Sequence, residues 1–141
     1  MYIELHPTLV HFPIAFITLA YFFQWVIVIK PGWVPKHLNL WVLIPAALST
    51  LPAVLSGENA KESLSDICQE AHETLKNHEL FANITTWGII LLTLVWVYIT
   101  IKGKADAKVQ QLLTAFLTLV FISACITGYL GGELVHKWNV N

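Results

Sequence analysis

The stretch PTLVHFPIAFITLAYFFQWVIVI, residues 7–29, decides the fold, because none of its side chains is a lysine, arginine, aspartate or glutamate. A helix rises about 1.5 Å per residue, so about 20 apolar residues carry the chain across a hydrocarbon core. Outward from this stretch, residues 38–57, 80–101 and 109–130 repeat the pattern. The composition agrees: of 141 residues 56% are hydrophobic and only 12% charged, and the mean hydropathy is +0.64. An ordinary soluble domain carries about twice that share of charge. The expected architecture is all-α: one domain over residues 1–141, built as an up-and-down bundle of four transmembrane helices. The opening MYIEL lacks a basic leader and a small-residue cleavage site, so the first apolar stretch reads as a permanent helix rather than a removed signal.

Charge sets the expected orientation. Lys30 and Lys36 fall between the first two stretches, and Lys102, Lys104 and Lys108 between the last two. By the positive-inside rule both connections face the cytoplasm of a bacterial inner membrane. The intervening segment GENAKESLSDICQEAHETLKNHE, residues 57–79, carries six acidic residues against two lysines, and it belongs on the periplasmic side with both termini. Trp25, Trp33, Trp41, Trp96 and Tyr98 cluster near the cytoplasmic boundary, where amphipathic rings favour the headgroup level; the alternative for about a third of them is packing in the core. Nothing is basic enough for nucleic-acid binding.

This topology sorts the histidines. His6, His11, His72, His78 and His136 gather at the outer end, and His37 alone lies at the inner one. Each could simply cap or solvate a helix end, but neutral imidazole is also a common metal ligand, and polar groups at membrane depth mark function. Pro7 fits the first turn of a helix, which leaves His6 as its cap. His11 then lies about 7 Å deeper and about 140° around the helix, so the two serve different partners. Pro13 frees the carbonyl of Leu9 and bends the helix near His11. In the third helix Ala71, Leu75, His78 and Ala82 form one stripe, which turns His78 inward. His72 falls off that stripe and reads as solvated. Cys68 and His72 have metal-ligand spacing, a weak signal alone. No CxxCH occurs, so covalent haem attachment is not expected, and Cys68 and Cys125 are too remote for a disulfide.

The segment SACITGYLGGELVHKW, residues 123–138, places Ala124, Gly128, Gly132 and His136 every four residues. The second helix has a comparable stripe in Ala46, Ser49, Thr50, Ala53, Ser56, Gly57 and Ala60. Small residues let membrane helices approach closely. The same missing bulk admits a flat macrocycle, and histidines on different helices are what axial haem ligation requires.

LHPTLVHFPIAF at residues 5–16, SG at 56–57, a histidine opening the third helix and TGYLGGELV at 127–135 resemble the bacterial membrane family catalogued as domain-of-unknown-function family 2231. The resemblance covers essentially the whole chain and implies a four-helix membrane module. Some relatives carry attached Rieske iron–sulfur or c-type cytochrome domains, which suggests electron transfer by analogy. Carried onto matching positions, the family's histidines are His6, His11 and His78; at His136 many relatives have tyrosine.

The expectation is therefore an electron-transfer subunit without catalytic activity of its own, holding one or two b-type haems near the periplasmic face. His11 and His78 are the expected axial pair, His6 and His136 a second pair or flanking groups, and Gly128 and Gly132 the space for the ring. The chain has no arginine, so Lys76, Lys137 or Trp138 would face the propionates. The expected partners are the lipid bilayer and a periplasmic or membrane redox protein, with a quinone as a further candidate. Two other readings stay open: a copper or zinc site drawn from His6, His72, His78, Cys68 and nearby carboxylates, and a structural membrane anchor. A visible spectrum separates them.

Overall fold

The computed structural model describes residues 2–35, 37–62, 64, 67–103 and 106–138, with side chains from Leu5 onward. Four helices follow one another: α1 Tyr2–Ile29, α2 Leu38–Glu62, α3 Gln69–Ile101 and α4 Ala107–His136. No strand occurs among the described residues. Each helix is long and apolar enough to cross a membrane. The helices outrun the apolar stretches because hydropathy marks only the lipid-facing part. The polar run Gln69–Asn77 continues α3 as a helix beyond it.

The largest shift concerns α1. It begins at Tyr2, so Pro7 is an interior residue rather than the first-turn residue expected. His6 is consequently not a cap. It lies inside the helix, on the same face as Pro13, Ile17 and Gln24, each of which is buried. Intervals of seven, eleven and eighteen residues bring a helix back to nearly the same azimuth.

α1 packs most extensively on α2, and α3 on α4; the α2–α3 and α1–α4 seams are thinner. The bundle is thus two tight hairpins laid side by side, with α1 and α3 on one diagonal. Ile17, Ala20, Leu43, Ala46, Ile89, Leu117 and Val120 belong to one buried cluster along the axis. Large apolar side chains such as Phe22, Trp41, Leu55, Trp87, Leu91 and Leu119 are exposed around the outside, as a lipid-facing surface requires. The α2–α3 seam opens into an apolar groove of about 290 Å³ between Ile44, Leu48 and Leu51 on one side and Ile90 and Leu94 on the other.

At the lysine end the two connections are short. Gly32 and Gly103 turn there with φ of 92° and 64°, a conformation that costs glycine nothing because it has no Cβ. The Asp106 carboxylate then accepts a hydrogen bond from Val109 N at 2.8 Å and starts α4, satisfying one orphan donor of the first turn. Lys30 lies 4.4 Å from the centre of the Trp33 ring and Lys102 lies 5.9 Å from that of Tyr98. Trp25, Trp33, Trp41 and Tyr98 are exposed at this end as expected, but Trp96 is not interfacial: it is 2% exposed and belongs to the core. Depth alone does not place an aromatic ring; the helix face also matters, and Trp96 shares its face with buried Ile89, Leu92 and Thr93. Lys36 and Lys104, part of the expected charge pattern, lie outside the described residues.

Candidate functional site

The far end of the bundle brings two imidazoles together. His6 from α1 and His78 from α3 meet across the diagonal, with ring centroids 6.4 Å apart and planes at 89°. Neither histidine relies on the other for its hydrogen bond. His6 Nδ1 lies 3.1 Å from the Ala53 carbonyl and 2.9 Å from Ser56 Oγ, both on α2. His78 Nδ1 lies 3.0 Å from the Thr127 carbonyl on α4. A carbonyl oxygen only accepts, so each Nδ1 carries the proton and donates it. The Ser56 hydroxyl is itself committed to the Ala53 carbonyl at 2.8 Å, which leaves its lone pairs toward His6. In the neutral tautomer this fixes, Nε2 of both rings holds a free lone pair.

The backbone makes room for the rings. A Cβ added to Gly57 of α2 would stand 3.0 Å from His6 Cε1, and one added to Gly131 of α4 would stand 3.1 Å from His78 Cε1. Each imidazole therefore lies against a glycine and donates to a carbonyl about one turn earlier on the same neighbouring helix. That arrangement fixes both tautomer and ring orientation, as the outer hydrogen bonds of metal-ligating histidines do.

The other expected site residues lie elsewhere. His11 is exposed, and its Nδ1 is engaged by the Pro7 carbonyl of its own helix. His136 and His72 are exposed, as is His37 at the opposite end. Added Cβ atoms at Gly128 and Gly132 would meet nothing within 4 Å; the glycine beneath His78 is Gly131. Cys68 and Cys125 are both free and exposed. Of the groups expected to face propionates, Lys137 is bonded to Glu133 at 2.7 Å, a hydrogen bond that holds its ammonium above the usual lysine range. On the α2–α3 side of the pair, Lys61 and Glu79 form an ion pair at 2.7 Å.

The family model described as Predicted membrane protein (DUF2231) matches residues 2–141. The chain belongs to this family. Neither a curated protein nor a solved structure matches it. Within this DUF2231 chain, sequence reasoning reached His6 and His78 and placed them together only in the copper or zinc alternative, the haem reading having paired His78 with His11; it did not reach the supporting contacts of Ala53, Ser56, Thr127 and Gly131. Ser56 and Gly57 stood in the small-residue stripe of the second helix, and their immediate succession was the available signal.

Proposed function

We propose that this protein is a b-type haem-binding electron-transfer subunit in which His6 and His78 would hold the iron. The observation that carries the reading is the diagonal pair of imidazoles, each with Nδ1–H committed to a backbone carbonyl and Nε2 left free. With ring centroids 6.4 Å apart, the two imidazoles are close enough that both could reach one ion at metal–nitrogen bonds of about 2 Å. The donor set also discriminates among metals. No group of three or more His, Cys, Asp or Glu residues that could hold an ion occurs among the described residues. A structural or catalytic zinc site takes at least three protein ligands. Two histidines suit an iron whose remaining ligands come from a macrocycle.

When bound, haem supplies a one-electron couple; the protein supplies position, low dielectric and ligand basicity. Ala53, Ser56 and Thr127 would strengthen the ligands through Nδ1–H, and Gly57 and Gly131 would keep the rings close to the helix axes. One pair accounts for one haem. His11 and His136 then stand outside it. In the orientation that supports this reading, the lysine end lies in the cytoplasm of a bacterial inner membrane. The histidine end and both termini face the periplasm, where a redox protein or a membrane quinone would exchange the electron.

The test is a visible spectrum of protein purified from haem-sufficient cells. A low-spin spectrum is expected, with haem extractable into acid acetone. His6→Ala and His78→Ala should each abolish it or convert it to high spin, and His11→Ala and His37→Ala should leave it unchanged. A colourless wild-type protein overturns the assignment. So does a spectrum that depends on His11 but not on His6.

A further inference from the structure

We infer that the lysine end of the bundle contains an internal water site, built from Asn39, Gln24, Gln110 and Thr114. These side chains sit where α1, α2 and α4 converge. Gln24 and Asn39 are 0% exposed and Gln110 is 5% exposed. Asn39 Nδ2 donates to Gln24 Oε1 at 2.9 Å. Gln24 Nε2 donates onward to Gln110 Oε1 at 3.1 Å, to Thr114 Oγ1 at 2.9 Å and to the Gln110 carbonyl at 3.3 Å. The chain of amides is directional, and both of its ends are open. Asn39 Oδ1 and Gln110 Nε2 are buried without a hydrogen-bond partner.

Reversing the amides does not close the chain. Turning Gln110 alone would set its NH2 against that of Gln24. Turning Asn39, Gln24 and Gln110 together would direct Gln24 Oε1 at the Gln110 carbonyl and leave Asn39 Nδ2 and Gln110 Oε1 open instead. Every self-consistent arrangement leaves one donor and one acceptor over. Each such group buried alone forfeits the hydrogen bonds it would make in water, and lipid offers nothing to replace them.

The occupant must be small, neutral and able both to donate and to accept. Water meets all three conditions: it accepts from Gln110 Nε2–H and donates to Asn39 Oδ1. Buried waters typically make about three hydrogen bonds to polar groups that would otherwise be unsatisfied. An ion is disfavoured, because no charged side chain takes part in the cluster's hydrogen bonds. Toward the histidine end the axis is closed by Ile17, Leu43, Ile89 and Leu117, all at most 1% exposed. The water therefore belongs to the lysine end and does not communicate with His6 and His78.

Side-chain amide NMR of the full chain in lipid nanodiscs tests this, with glutamine labelled at the side-chain nitrogen. The Gln110 amide protons should show dipolar cross-relaxation to a long-lived water, and the Gln24 amide, whose hydrogens are spent on Gln110 and Thr114, should not. A Gln110 signal without that cross-peak overturns the site. Equal cross-peaks at Gln24 and Gln110 overturn it too, since they would mean general flooding. Asn39→Leu removes the acceptor leg and should weaken the Gln110 cross-peak several-fold; an unchanged peak shows that no water is shared between the two residues. The wild-type comparison decides the question even where the variant does not fold.

Discussion

The two ends of the bundle handle the same difficulty, polar side chains at membrane depth, in opposite ways. At the lysine end the amides of Asn39, Gln24 and Gln110 bond chiefly to each other, and the interaction is spent on joining α1, α2 and α4. At the histidine end the side chains turn away from each other for their bonds and use backbone carbonyls of the neighbouring helices. Each imidazole keeps a second nitrogen in reserve. The first end ties three helices together through side-chain amides; the second seats each imidazole on a neighbouring helix and leaves Nε2 uncommitted. What separates them is chemistry: a carboxamide offers only hydrogen-bond donors and acceptors, whereas an imidazole bonded at Nδ1 still presents at Nε2 a lone pair of the kind that ligates metals.

The strongest way to break this contrast is Gln24→Leu. It leaves at least Asn39 Nδ2 and Gln110 Oε1 without their partner, two buried groups at about 1 kcal/mol each, so denaturant unfolding in detergent should show a loss of about 2 kcal/mol. The haem spectrum of the folded protein should not change, because Gln24 lies five turns from His6, about 27 Å along α1. A spectral change in the folded variant would mean that the two ends are not independent.

Gly131→Ala sharpens the other side. Its Cβ would stand 3.1 Å from the His78 ring, and the ring must yield by a few tenths of an ångström. Haem affinity should fall about tenfold, which is about 1.4 kcal/mol, with little loss of fold. Gly128→Ala is the control, since its Cβ meets nothing within 4 Å. Equal effects from the two glycines would remove Gly131 from the site. The smallest expected effect is that of Lys61→Met. The Lys61–Glu79 pair has side chains 44% and 31% exposed, so its loss should cost under about 1 kcal/mol and leave the spectrum intact. A shifted spectrum would mean that Glu79 acts on the His78 beside it.

How much of this was legible in the residues differs from helix to helix. The four spans were, because uncharged runs such as residues 80–101 have no other stable reading. His78 was as well, since Ala71, Leu75 and Ala82 mark its face. His6 was misplaced for a definite reason: Pro7 looked like a first-turn proline, and a cap has no helical face. Once α1 is continued to Tyr2, the interval of eighteen residues to Gln24, a polar side chain in an apolar run, puts His6 on the buried face. The choice among Gly128, Gly131 and Gly132 was not legible. Three glycines within five positions differ only in which neighbour they meet, and that depends on how α4 is rotated against α3.

The division into two hairpins gives the histidine pair a mechanical meaning. His6 belongs to the α1–α2 hairpin and His78 to the α3–α4 hairpin, and the seam between these units is thin, with an apolar groove along its α2–α3 side. A ligand gripped by both imidazoles would then be a rivet through the two hairpins. Pulling on the first and last helices should part the empty molecule along that line at low force, hairpin from hairpin. Once loaded, it should yield only when a metal–nitrogen bond breaks or a helix unravels.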